Sequence, residues 1–455
     1  MIPLDIFVSI LTTAGLIIIG VLLFELIIFF HEGGHFVSAK LSGVRVNEFA
    51  LGMGPKLFSF TKGETTYSLR LLPIGGFCAM EGEDEDSDNP HAFNNAKLYK
   101  RLIIIVAGAV MNIVLGLIFM TILLLPGKYL DSQTVALFVP NSYSASSGLQ
   151  VGDTITSVNG YKVNNSMDFS YSMAKLKVSE EDGSSLQIYR QDGANYVMDS
   201  LSIVSTADEF AAMTVGEYYD YAAKYTDRIH AAQSKGEVDK IIGEFYADMS
   251  VQYPQEQFAT PEIKEKETRQ RFRADMTVLR DGEKVTLEDV DFYTFTTADS
   301  DKVQMSIDFY TESREKNFFS FVGDVASQTV SVVRMVVDSL VGIVRGEFGF
   351  SDVSGPIGAT KATVEVASES LKSGFGNAVL SIVYVMMVIT INLGVVNMLP
   401  FPALDGGRFV FLLIEGIFRR PIPRKAEAIV NAVGLGLLLL FMLIISIKDI
   451  VQIFI

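Results

Sequence analysis

Two histidines four residues apart, with a glutamate directly after the first, close an apolar run at His31-Glu32-Gly33-Gly34-His35. On a helix, residues i and i+4 share a face one turn apart. Both imidazoles can then grip one Zn2+, and Glu32 can take a proton from a water beside it. Residues that merely mark a membrane–water boundary would give the same short string. Position argues for chemistry: ionisable groups at the end of a membrane-length segment are expensive to bury and are usually functional.

Zinc needs a third protein ligand and an open position. Leu41 and its neighbours supply no further histidine, which leaves carboxylates. Glu48 and Glu64 are candidates close in sequence. Asp405, in "NLGVVNMLPFPALDGGRF", is the better one, because it sits at the end of another apolar segment. Asn397, Pro400 and Pro402 break the helix there, and the freed backbone groups must face protein or water. His230 has no partner at ligand spacing and reads as an exposed helix residue. The single cysteine, Cys78, excludes an internal disulfide framework and a multi-cysteine zinc site, and four histidines in all exclude a histidine-rich centre.

The elements that must position these groups are membrane-like. Of 455 residues, 49% are hydrophobic and 20% are charged, which fits a membrane protein carrying a soluble portion. Four apolar segments, residues 6–30, 102–125, 378–399 and 429–447, approach or exceed the roughly 20 residues that cross a hydrocarbon core. The first lacks a basic leader and a small-residue cleavage site, and reads as a retained span. Lys40, Arg45, Lys56, Lys62, Arg70, Lys97, Lys100 and Arg101 fill the first loop, and Arg408, Arg419, Arg420, Arg424 and Lys425 the last. Both loops are therefore expected in the cytoplasm, with the termini and the central region outside. A net charge of −16 argues against a nucleic-acid partner.

The central region has ordinary soluble composition. "SYSASSGLQVGDTITSVNGYKV" is similar to a PDZ domain, with an alternating strand and the turn Asn159-Gly160. Two further strand pairs turn at Asp192-Gly193 and Asp281-Gly282. Between them an Ala-, Glu-, Lys- and Tyr-rich stretch at about 206–274 reads as helical. One PDZ-like domain interrupted by a helical insertion is favoured over two β modules. Residues 317–346 are apolar enough to suggest a span, but Asp324, Arg334, Asp338 and Arg345 interrupt them. A helix lying on the membrane surface, or packed on the protein's own spans, suits them better.

HExGH on the first span and NxxPxPxLDGG on a later one together resemble the site-2 proteases, intramembrane zinc metalloproteases. The closer likeness is to the bacterial regulator-of-sigma-E protease type, and it covers nearly the whole chain. "LRLLPIGGFCAMEGEDE" is similar to the family's membrane-reentrant β segment, and "AFNNAKLYKRLIIIVAGAVMN" to its approach to the second span. The resemblance implies His31, His35 and Asp405 as zinc ligands, Glu32 as general base, and Asn397 and Pro402 as residues that seat substrate. It implies single-span membrane proteins as substrates, of the anti-sigma-factor or remnant-signal-peptide class, cut in the bacterial plasma membrane during regulated intramembrane proteolysis. Gly33 stands where the family usually has a bulky residue. Glu25, two turns before Glu32, has no counterpart in the motifs.

The expected fold is a polytopic α-helical membrane protein of four spans, with a membrane-associated β segment and an extracytoplasmic PDZ-like α+β domain. Its boundaries are a first span at 1–36, a loop with the β segment at 37–100, and a second span at 101–126. The PDZ-like region follows at 127–310, surface helices at 311–376, a third span at 377–407, a loop at 408–427 and the last span at 428–455. A non-catalytic PDZ scaffold with a relic site is a different reading, against which the intact His31, Glu32, His35 and Asp405 argue. A transporter is weaker still, since one polar cluster and no internal repeat give no pathway.

Overall fold

A computed structural model describes residues 4–83, 87–138, 143–176, 185–190, 197–198, 203–204, 244, 265–296, 303–305, 307–346, 356–372, 374–420 and 422–454. It divides into two compact units, residues 1–126 with 332–455, and residues 127–331. In chain order the helices are α1 (Leu4–Ser42), α2 (Leu98–Leu124), α3 (Tyr143–Ser146), α4 (Ser166–Ala174), α5 (Phe318–Arg345), α6 (Pro356–Leu371), α7 (Phe375–Asn397), α8 (Asp405–Phe418) and α9 (Arg424–Phe454). The strands are β1 (Val46–Lys62), β2 (Thr65–Met80), β3 (Tyr129–Phe138), β4 (Thr154–Val158), β5 (Tyr161–Lys162), β6 (Ser185–Arg190), β7 (Val197–Met198), β8 (Ile203–Val204), β9 (Glu265–Arg280), β10 (Glu283–Thr296), β11 (Val303–Met305) and β12 (Phe309–Glu315).

In the first unit, α1 carries the HEGGH string well inside a 39-residue helix and runs past the expected boundary at 36. It stops at Gly43, whose φ of +77° only glycine adopts cheaply. Gly43 N–H donates to Lys40 O, and Val44 N–H reaches back to Ala39 O, the Schellman pattern of a helix end. The chain then folds β1 and β2 into a sheet of four arms. Residues 46–51 pair on one side with 76–80 and on the other with 66–69, and 56–62 pair with 65–70. Gly52, Gly54 and Gly75, all at positive φ, provide the bends. Val46, Phe49, Cys78 and Met80 of the inner arms pack with Ala39, Ile104, Ile105 and Leu412. Leu57, Phe58, Leu71 and Leu72 of the outer arms are exposed.

Helix α7 ends at Asn397, as the prolines require, and a turn leads into α8. Residues 408–418, within the segment expected as the last cytoplasmic loop, are helical. The spacing of Phe409 and Leu412 gives α8 an apolar face that packs on the core shared with α1, β1, β2 and α2. Among the described residues, five helices are long and apolar enough to cross a membrane: residues 18–42 of α1, then α2, α5, α7, and residues 425–451 of α9. The fifth candidate, α5, goes beyond the four spans expected. With its several such helices and its β sheets, the chain is a polytopic membrane protein.

The second unit is built on an eight-stranded sheet in the order β11-β10-β9-β4-β3-β12, with β5 beside β4 and β6 beside β9. Its core gathers Phe138, Leu149, Ile155, Phe169, Met276, Phe292 and Phe309. Asn159-Gly160 and Asp281-Gly282 each place two residues at positive φ, the type I′ geometry that matches strand twist. Strand β6 pairs with the first part of β9, so the chain before the interruption lies beside the chain after it. Residues 265–274, expected in the helical insertion, are therefore strand. The ladder to β6 overrides their helix propensity. Residues 311–315, expected among surface helices, belong to β12, which pairs with β3. Apart from residue 244, which is helical, the rest of the expected insertion, with His230, and the turn at Asp192-Gly193 lie outside the described residues.

Candidate metal centre

Helices α1, α2, α7 and α8 of the first unit meet around His31 and His35. His31 Nε2 and His35 Nε2 are 3.3 Å apart, and each lies 3.4 Å from Asp405 Oδ2. Tetrahedral zinc with bonds of about 2.0–2.1 Å holds its ligand atoms about 3.3–3.4 Å apart. The triangle therefore has the size of one face of a zinc tetrahedron. Asp405 Oδ2 is buried and, among the described residues, has no hydrogen-bond partner, an orphaned anion that a cation would satisfy. The donor set of two imidazoles and one carboxylate suits zinc and leaves a fourth position open.

The far nitrogen of each imidazole is also engaged. His35 Nδ1–H donates to the carbonyl of Ile104 at 2.8 Å, which leaves Nε2 as the lone-pair atom. His31 Nδ1 lies 3.2 Å from the side-chain amide of Asn112, a residue with no exposure at all. As placed, Nδ2 faces the ring and Oδ1 has no partner. The two ends of an amide have the same shape, so we assign the turned orientation, in which Oδ1 accepts from His31 Nδ1–H. His31 Nε2 is then also free to bind metal. Gly108, one turn before Asn112 on α2, lets the backbone approach both rings: a β-carbon there would lie 2.3 Å from His35 Nε2.

Glu32 is half-buried beside the histidines, with the main chain of Cys78 hydrogen-bonded to its carboxylate. The arm 76–80 of β2 is thus adjacent to the candidate base, and Gly76 is so close that a β-carbon would meet Ile28 and Glu32. Asn397 Nδ2 lies 3.4 Å from His31 Nε2. Pro402 stands in the turn before Asp405 and packs against Gly434 of α9.

The other carboxylates considered as ligands are engaged elsewhere. Glu48 takes hydrogen bonds from Ser68 at 2.6 Å and Arg70 at 2.9 Å, with Lys56 at 3.1 Å. Glu64 pairs with Lys40 at 2.6 Å. Glu25 Oε1 is buried and, among the described residues, has no hydrogen-bond partner. Gly34, Gly108 and Asn112 were not singled out by spacing. An asparagine within an apolar span was the available signal, since a polar group there needs a partner.

Comparison with known proteins agrees with this chemistry. The family model described as Peptidase family M50 matches residues 19–441. The regulator of sigma-W protease RasP of Bacillus subtilis is 28% identical over 96% of this chain and 99% of its own length. The zinc metalloprotease RasP of Bacillus licheniformis is 28% identical over 96% of this chain and 99% of its own. A Clostridium acetobutylicum protein is 30% identical over 96% of this chain and 97% of its own. With a family match over most of its length and a part-buried His-His-Asp cluster of zinc dimensions, the chain belongs to peptidase family M50, the zinc metalloproteases of the site-2 protease type.

Proposed function

We propose that this zinc metalloprotease hydrolyses peptide bonds of single-span membrane proteins within the bilayer. His31, His35 and Asp405 hold the metal, and Glu32 is the general base. The observation that carries this reading is the 3.3–3.4 Å triangle of ligand atoms with Glu32 adjoining it on the same helix. Bound zinc supplies a Lewis acid that polarises the scissile carbonyl and lowers the pKa of water. Glu32 accepts the proton of the attacking water and returns it to the departing amine. Asn397, beside His31, and Pro402, in the turn before Asp405, help seat the substrate.

A helical substrate hides its carbonyls and must be extended before cleavage. Among the described residues the arm 76–80 pairs as a strand only with 46–51, so its other edge, where Cys78 meets Glu32, is where a substrate strand would be added. The exposed apolar residues of the outer arms suit insertion into lipid. In the membrane, α1, α2, α7 and α9 are the four spans. Helix α5 buries Asp324, Gln328, Thr329 and Ser331 while exposing Phe318, Phe319, Val322 and Val330, which suits a helix lying on the bilayer surface. The distribution of Lys and Arg supports both basic loops in the cytoplasm and residues 127–331 outside, as a PDZ-like filter admitting trimmed substrates. The name of the Bacillus subtilis relative, a regulator of sigma-W, favours anti-sigma-factor substrates over remnant signal peptides.

The test is zinc content together with cleavage of a single-span reporter in liposomes. Glu32→Gln is expected to keep zinc and lose cleavage, because it removes a base and not a ligand. Cleavage at the wild-type rate by Glu32→Gln would sink the assignment.

A further inference from the structure

The turn that delivers Asp405 is held from the last helix. Ala403, two residues before Asp405, has φ +73°, a left-handed conformation that a residue with a β-carbon adopts at a cost. Its N–H donates to the side-chain oxygen of Asn431 at 3.2 Å. One turn further along α9, Gly434 receives Pro402 so closely that a β-carbon would lie 2.5 Å from the proline ring. Around these two contacts α9 is otherwise bare: Ala432, Val433, Leu435 and Gly436 are all exposed. On the other side of the turn, Gly406 and Gly407 sit against the carbonyls of Leu399 and Phe401. The backbone from 398 to 407 thus has little freedom, and Asp405 Oδ2 ends 3.4 Å from both imidazoles.

We propose that Asn431 is a positioning residue for Asp405: by holding Ala403 left-handed, its side-chain oxygen aims the first turn of α8 at His31 and His35. The inference rests on Asp405 being a zinc ligand, as proposed above. Without the Asn431 oxygen, Ala403 loses the hydrogen bond that offsets the cost of its left-handed φ. The turn relaxes toward negative φ, and the carboxylate leaves the triangle.

The full-length protein in detergent is titrated with zinc against a chelator, and the Co2+-loaded protein is read by its visible absorption. Asn431→Leu is expected to weaken zinc by about 10- to 100-fold, the usual effect of losing an outer-shell partner, and to alter the Co2+ bands. Asn431→Asp keeps an acceptor of the same shape and is expected to bind zinc like the wild type. Adding Ala403→Gly to Asn431→Leu should restore most of the affinity, because glycine takes positive φ without the penalty. A general loss of packing along α9 would not be repaired by that second change. Unchanged zinc affinity in Asn431→Leu, or no rescue by Ala403→Gly, overturns the proposal. If Asn431→Leu does not fold, Asn431→Ala replaces it in the same comparison. Asp405→Ala separates the two ideas: retention of zinc there overturns the ligand assignment itself.

Discussion

Gly108 of α2 stands so close to His35 that a single added methyl would lie 2.3 Å from Nε2 and 2.7 Å from Cε1, with His31 Cε1 at 2.8 Å. The two rings lean on bare backbone. This fixes how near α2 can come to the face of α1 that carries His31 and His35.

Gly108→Ala is therefore expected to lower zinc affinity by at least about 10-fold, since the rings must turn or the helices part. Metal content after gel filtration, measured by mass spectrometry, decides it. Full occupancy would mean that α1 and α2 separate readily at this contact.

The adjacent pair Gly33-Gly34 should respond in opposite ways. A β-carbon at Gly33 meets nothing within 4 Å, so Gly33→Ala should stabilise the helix by roughly 0.5–1 kcal/mol. At Gly34 it would lie 2.3 Å from the carbonyl oxygen of Ala107, and Gly34→Ala should cost about 1–3 kcal/mol as overpacking does. Thermal melts of the two variants in one detergent give the comparison. Equal shifts of the same sign would contradict the packing described.

Asn112→Leu removes the acceptor for His31 Nδ1–H and should weaken zinc by about 10- to 100-fold. Asn112→Asp, which can only accept when ionised, should retain binding far better. That difference tests the turned amide directly, because an amide that donated to Nδ1 would be replaced poorly by aspartate.

In the second unit, Asp308 is buried and accepts the N–H and hydroxyl of Ser144. Burial pushes its carboxyl above the ordinary aspartate range and outweighs the Ser144 hydrogen bonds. A raised folded value means the folded form holds its proton more tightly than the unfolded chain. The stability this group contributes is complete below about pH 3.9 and is lost as pH rises through its folded value. Relative to Asp308→Asn, the wild type should thus lose stability with rising pH across that window. Resistance of residues 127–331 to a protease, followed against pH, reads it. Parallel profiles would show that Asp308 titrates as it does in the unfolded chain.

Much of this arrangement could be read from the sequence because the signals were local. The i,i+4 spacing puts His31 and His35 on one face, the prolines end α7 at Asn397, and Asn-Gly and Asp-Gly bring their own turn geometry. What spacing along one helix cannot report is the surface another helix offers it. Gly108 and Asn112 matter through rings that belong to α1, over seventy positions away, and their own span shows only an apolar run. The four-armed sheet escaped for a similar reason. Gly52, Gly54 and Gly75 permit bends, yet only pairing of 46–51 on both sides shows that the strands double back. Residues 265–274 have a helical composition, and the distant partner β6 decides them as strand.

The cluster joins residues 31 and 35 to residue 405, and the unit that holds it is interrupted by residues 127–331. During synthesis the histidines emerge early and wait through that long excursion before the aspartate exists. On the ligand set proposed above, the growing chain offers a metal two imidazoles, and the third ligand follows only when α8 is made.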